Sequence, residues 1–168
     1  TIAGTTNFAN AGALTVQGAT QFTAGASKLA GAKNFSGTIT ATVASSLNFG
    51  TAGTVTIIGD ASFGGTTGTV TLWDTVINDG ITLNLGNGAA TNFSVRSLIG
   101  QAGGIVSNLI IENLGANATV INAVGPLAEI GTVTVTKSGG TVAFQGNFEA
   151  GSLLPGVGAY NLSFTGAI

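Results

Sequence analysis

Gly53-Thr-Val-Thr-Ile-Ile-Gly-Asp-Ala-Ser-Phe63 decides how the whole chain is read. Thr54-Val-Thr-Ile alternates polar and apolar residues with the period of two that a half-buried strand requires. Gly59 then permits a corner, because glycine takes backbone angles that side chains forbid. Phe63 follows shortly after with a large apolar group. The same unit recurs as Gly4-Thr-Thr-Asn-Phe8, Gly18-Ala-Thr-Gln-Phe22 and Gly31-Ala-Lys-Asn-Phe35, and Ser45-Ser-Leu-Asn-Phe49 is a copy with Ser in the Gly place. Phe8, Phe22, Phe35, Phe49 and Phe63 thus stand at a nearly constant interval. A period of this kind means that one short unit stacks on its own copies, each burying its Phe against its neighbours.

Strand pieces fill the intervals: Ala13-Leu-Thr-Val16, Thr38-Ile-Thr-Ala-Thr-Val43 and Thr69-Val-Thr-Leu72. Beyond Leu72 the period fades but the vocabulary persists, in Thr82-Leu-Asn-Leu85, Phe93-Ser-Val95, Leu109-Ile-Ile111, Ala118-Thr-Val-Ile121, Thr132-Val-Thr-Val-Thr136, Thr141-Val-Ala-Phe144 and Leu162-Ser-Phe164. Gly-Thr-Val opens strands at Gly53, Gly68, Gly131 and Gly140, in both halves. The expectation is one all-β domain over 1–168, with regular repeats of about 14 residues in 1–72 and a degenerate continuation in 73–168. Its architecture is a β-solenoid of short strands with Gly corners, with two repeat units per coil. An antiparallel β-sandwich is the alternative, because closely spaced hairpins give a similar strand density. The fixed Phe interval favours the solenoid. A membrane barrel needs aromatic girdles, which Trp73 and Tyr160, the single Trp and single Tyr, do not supply. Leu98 to Gly104 is left between a loop and a helical excursion, and Leu154-Pro-Gly156 reads as a turn.

Composition narrows function by exclusion. The 168 residues include 28 Gly and 25 Thr, no Cys, Met or His, and ten charged side chains with net charge −2. Gly and β-branched residues disfavour helix, while 44% hydrophobic residues supply a core. Four cations give no basis for nucleic-acid binding, which needs clustered Lys/Arg against phosphate. No contiguous apolar run of about 20 residues offers a membrane helix. The chain opens at Thr1 with no basic or apolar leader, so the reading is of a mature or excised piece whose targeting signal is not in view.

Without His or Cys, general acid–base work near neutral pH and thiol nucleophiles drop out, and zinc lacks the Cys and His that its sites use in quantity. A carboxylate pair is the remaining enzymatic chemistry, drawn from Asp60, Asp74, Asp79, Glu112, Glu129 and Glu149. Trp73-Asp74-Thr-Val-Ile-Asn-Asp79 sets an aromatic platform beside two acids, so Trp73, Asp74 and Asp79 are the candidate ligand-binding residues, for a sugar. The competing account is that these acids are solvated and that Asn78-Asp79-Gly80 is a turn. No catalytic, metal or cofactor residue is assigned. Thr38/Thr40/Thr42, Thr54/Thr56, Thr69/Thr71 and Thr132/Thr134/Thr136 place hydroxyls on strand faces, which is how ice-binding ladders are built and equally how strands stay soluble.

Gly53–Phe63, Asn108-Leu-Ile-Ile-Glu-Asn113 and Ile130-Gly-Thr-Val-Thr-Val-Thr-Lys137 resemble the passenger regions of bacterial type V secreted proteins, with the flavour of the rickettsial outer-membrane surface antigens. That resemblance implies a β-solenoid displayed outside the cell. The expected function is a non-enzymatic structural or adhesive segment of a bacterial surface protein, extracellular or at the cell surface. Its expected partners are other copies of itself, in a coat or filament, and a host or matrix surface. A carbohydrate-binding or carbohydrate-active solenoid around Trp73 and an ice-binding protein are the alternatives. Phe8, Phe22, Phe35, Phe49 and Phe63 are read as core.

Overall fold

In a computed structural model of the chain, the structure describes residues 7–8, 14–22, 27–29, 32–41, 47–50, 53–64, 68–86, 92–101, 106–112, 119–125, 129–136, 140–158 and 161–168. Sixteen strands appear among them. They are β1 (Asn7–Phe8), β2 (Leu14–Val16), β3 (Thr20–Phe22), β4 (Ser27–Leu29), β5 (Lys33–Ala41), β6 (Leu47–Asn48), β7 (Val55–Gly64) and β8 (Thr69–Ile77). The series continues with β9 (Thr82–Gly86), β10 (Asn92–Gly100), β11 (Asn108–Ile111), β12 (Thr119–Val124), β13 (Ile130–Val135), β14 (Thr141–Phe144), β15 (Ala150–Pro155) and β16 (Asn161–Phe164). Every pairing between them is parallel. The fold is therefore a β-solenoid, and the antiparallel sandwich is excluded.

The ladders build three walls. The first runs through β2, the starts of β5 and β7, and the ends of β8, β10 and β12, to a bridge between Val124 and Phe148. The second stacks β3, the ends of β5 and β7, then β9, β11, β13 and β15. The third stacks β1, β4, β6, the starts of β8, β10 and β12, then β14 and β16. Partners in register lie one coil apart, and the coil varies in length. It is short from Thr20 to Ile39 and from Val133 to Leu153, longer from Ala61 to Leu83, and longer still from Leu83 to Leu109.

This corrects the expected relation of repeat to coil. Two repeat units carry Phe35 to Phe63, yet the register partner of Phe35 one coil on is Ile57. Two units therefore overshoot a coil, and one unit spans two of the three walls. Phe35 accordingly falls on the first wall, Phe49 follows β6 on the third and Phe63 lies on the second. Their rings meet edge to face with centroids 4.9, 5.4 and 5.6 Å apart, and all three are fully buried. Phe8 and Phe22 lie in β1 and β3; their side chains fall outside the described residues.

Along each wall the inward residues alternate with outward ones, and the alternation slips at corners. In β8, Val70 and Leu72 point inward, then Trp73 and Asp74 both lie outward before Thr75 and Ile77 resume. In β7, Val55 and Ile57 are separated from Ala61 and Phe63 by Ile58, Gly59 and Asp60. The corner at Gly37 requires glycine twice over: φ is +83°, and a Cβ would lie 2.7 Å from the Gly18 backbone one coil away. Leu98–Gly100, left open from the sequence, is strand and completes β10. Pro155 is the last residue of β15 rather than the centre of a turn.

The interior holds one apolar cluster that runs from Val16 to Phe148 and crosses Leu72, where the sequence period fades. Lys33 is the exception among its large side chains, fully enclosed in the inward column that continues as Val55, Thr75, Leu98 and Val124. Removal from water holds its amine below the usual lysine pKa of 10.5, because desolvation disfavours the charged form.

Candidate functional site

The candidate site is the corner between the third and first walls. The β8–β10 register runs to Leu72 and Val95 and resumes at Asp74 and Ser97. Trp73 and Arg96 are left between, outside the ladder, on successive coils. The Arg96 guanidinium lies over the indole, 4.5 Å from its centroid, a cation–π contact. Arg96 Nη1 also donates to Asp74 Oδ2, closing an ion pair, and Ser97 Oγ donates to Asp74 Oδ1 at 2.7 Å. Both oxygens of Asp74 are thereby engaged. Asn122 occupies the same corner on the next coil, since the β10–β12 register skips it between Ile121 and Ala123. Gly146 follows on the coil after, where a Cβ would strike the Asn122 carbonyl oxygen.

A hollow of about 250 Å³ lies against this corner, lined by Thr71, Leu72, Trp73, Ser94, Arg96 and Asn122. Thr71 and Ser94 are register partners on the outer side of the third wall. The sequence reading finds Trp73 and Asp74 but misses Arg96, Ser94 and Asn122. Counting by the true coil places Arg96 on Trp73 and Ser94 on Thr71, but the visible Phe interval conceals that length.

Asp79 is not part of this group. It lies past the far end of the first wall, about 20 Å of extended chain from Trp73. It sits in the turn closed by Ile81 N donating to Asn78 O at 3.1 Å, with Gly80 at φ +71°. Its N–H donates to Gln101 Oε1 at 3.3 Å, and its Oδ1 is buried without a hydrogen-bond partner. The structure thus divides the three candidate residues: Trp73 and Asp74 share a corner, and Asp79 belongs to another.

Two of the other acids tie one coil to the next. Asp60 Oδ1 accepts from Thr82 N at 2.8 Å, and Glu112 Oε1 accepts from Asn84 Nδ2 at 2.6 Å. Glu129 and Glu149 stand on successive coils. They precede the register partners Ile130 and Ala150 and line one open depression of about 620 Å³ with Phe148, Leu153 and Phe164. Both are exposed to water. Among the described residues no group of three or more potential metal-ligating side chains converges. No helix among them is long and apolar enough to cross a membrane.

The Thr arrays divide as well. Thr38, Thr40, Thr132 and Thr134 lie on the second wall, Thr56 on the first, and Thr69 and Thr71 on the third. The outward column through Thr38 continues as Ser62, Asn84, Ile110, Thr134 and Leu154. Hydroxyls link locally, Ser62 Oγ to Thr38 Oγ1 and Ser152 Oγ to Thr132 Oγ1, each at 3.3 Å, but they do not tile one wall.

No protein-family model matches the chain, and no curated protein or solved structure matches it.

Proposed function

We propose that this chain is a non-enzymatic structural and adhesive segment of an extracellular bacterial surface protein, able to associate with copies of itself into a coat or filament. One observation carries the reading: a stack of parallel coils turns small hydroxyl, amide and glycine positions outward, with ten charged residues in the whole chain. Such a body extends a surface rather than enclosing a substrate. One outward column of its second wall runs from Thr38 to Leu154 through uncharged residues, and few charges stand guard against sheet-to-sheet contact. The scattered hydrogen-bonding duties of Asp60, Asp74 and Glu112 favour a structural over a catalytic use of the acids.

Sedimentation velocity over a wide concentration range, with negative-stain microscopy of the same samples, tests the association. Growth into rods, sheets or filaments is the expected result. A monodisperse monomer at the highest concentration removes self-assembly. Immunogold labelling of source cells tests the location, and label confined to the cell interior removes the surface assignment.

A further inference from the structure

We propose that the hollow at the Trp73–Arg96 corner is a binding subsite for one neutral sugar ring of a glycan. The assignment rests on the adhesive part of the reading above and gives it a ligand class.

Three observations select that ligand. The first is pre-organisation. Arg96 is pinned between the Trp73 indole and the Asp74 carboxylate, so its rotamer freedom is largely lost before any ligand arrives. One of its five N–H groups serves Asp74, and the side chain remains about half exposed. The second is the mixture of polar groups. Arg96 only donates, whereas the hydroxyls of Thr71 and Ser94 and the amide of Asn122 both donate and accept. Ser94 and Asn122 are exposed. A ring carrying several hydroxyls, each itself donor and acceptor, satisfies that set, and the Trp73 indole, which lines the hollow, supplies apolar surface for its C–H groups. The third is charge. Arg96 and Asp74 balance one another, so a ligand with its own net charge gains no counter-ion here. An anionic ring would compete with Asp74 for the guanidinium, and a cationic one would meet it. The volume of about 250 Å³ falls below the range of about 300–1,000 Å³ for drug-sized ligands. It admits one ring and leaves the remainder of a chain outside.

The location suits a glycan on geometric grounds too. At the same corner Asn122 gives way to Gly146 and then to Gly166, each stacked closely on the backbone of the coil before it. The side chains that wall the hollow therefore end where the glycines begin, and the corner opens along the stack.

Trp73 is the only tryptophan, so its emission reports this corner alone. The chain is titrated with the methyl pyranosides of glucose, galactose, mannose and N-acetylglucosamine, with methyl glucuronide as the charged control. Saturable change is expected with at least one neutral glycoside below about 100 mM, little altered between about 50 and 500 mM NaCl. Ser94→Ala and Asn122→Ala are each expected to weaken it about five-fold, with circular dichroism and thermal midpoint unchanged. Ligand-observed saturation-transfer NMR reads the same binding without the indole. No saturable response to any neutral glycoside, a response to the glucuronide alone, or unchanged affinity in both variants overturns the proposal. Sedimentation of the same samples separates the two readings. A chain that assembles but binds no sugar loses this subsite alone, and one that binds sugar without assembling loses self-association alone.

Discussion

Among the described residues two phenylalanine trios hold the solenoid, one in each half, and they are built differently. Phe35, Phe49 and Phe63 come one from each wall, meet edge to face at 65–77° and are wholly enclosed. Phe144, Phe148 and Phe164 have centroids 4.9–5.3 Å apart, the same closeness. Here, however, Phe144 and Phe164 are register partners on the third wall and stack at 15°, while Phe148 joins from the first wall. Phe164 is only partly buried. The regular trio is a ring across the section, and the later one is a column with a side contact. Three walls need filling at every level, but a fixed sequence period is only one way to fill them. That is why the pattern fades after Leu72 while the ladders continue.

The largest test of the contrast removes one ring from each trio. Phe35→Ala opens a cavity with no solvent to fill it and is expected to cost about 3–5 kcal/mol in chemical denaturation. Phe164→Ala loses contacts already shared with water, for about 1–2 kcal/mol. Equal losses would mean that the two trios are energetically alike, whatever their geometry.

The next pair acts at the corners. Gly37→Ala meets both the cost of a left-handed conformation, about 1–2 kcal/mol, and the Gly18 backbone 2.7 Å from the new Cβ. Gly146→Ala meets no positive φ, but its Cβ would strike the Asn122 carbonyl oxygen, a closer backbone overlap than the one at Gly37, and overpacking costs about 1–3 kcal/mol, occasionally more. Both thermal midpoints should fall. A larger fall for Gly37→Ala would make the left-handed conformation the dominant cost at a corner, and a larger fall for Gly146→Ala would make it the contact between coils.

The same contrast explains what the chain reveals without coordinates. Alternation in Thr54-Val-Thr-Ile and Thr141-Val-Ala-Phe144 marks strands directly, and β14 matches its expected bounds. The Phe interval names the fold because only stacking repeats one residue type so regularly. It misleads on coil length, since one interval reaches the wall after next rather than the same wall one coil on. The corner site is hidden by that mismatch. Trp73 and Arg96 lie a full coil apart in sequence, and nothing local in either segment announces the other. Asp79 looks close to Trp73 because sequence distance ignores the direction of an extended strand. A slip in the alternation, as at Leu72-Trp-Asp-Thr75, is the local signal of a corner and is legible in principle.

Lys33 and Thr75 test the contrast through charge, for they share one inward column. Thr75 Oγ1 donates to Trp73 O at 3.1 Å and carries no charge. Lys33 has its pKa lowered by desolvation. Between that lowered value and 10.5 the unfolded chain holds more protons than the folded one, so stability rises with pH across this window and the gain is complete above 10.5. Lys33→Met removes the dependence. The difference in denaturation midpoint between wild type and Lys33→Met should shrink as pH approaches 10.5, whereas Thr75→Val should show no such trend. A difference independent of pH would mean that Lys33 reaches water in the folded chain.

The smallest effect on stability is expected where the inferred effect on binding is largest. The Arg96 and Asp74 side chains are 49% and 33% exposed, and exposed pairs contribute about 0–1 kcal/mol because water and salt screen them. Arg96→Gln should therefore lower the denaturation free energy by no more than about 2 kcal/mol in all, with the ion-pair share fading in high salt. The cation–π contact adds a similar amount at an exposed site, about 0.5–1 kcal/mol, and is lost in the same variant. A loss as large as that of Phe35→Ala would make the corner a structural clasp comparable with the core. A small loss leaves Arg96 dispensable to the fold, and its pinning between Trp73 and Asp74 then stands as an arrangement for contact with a ligand.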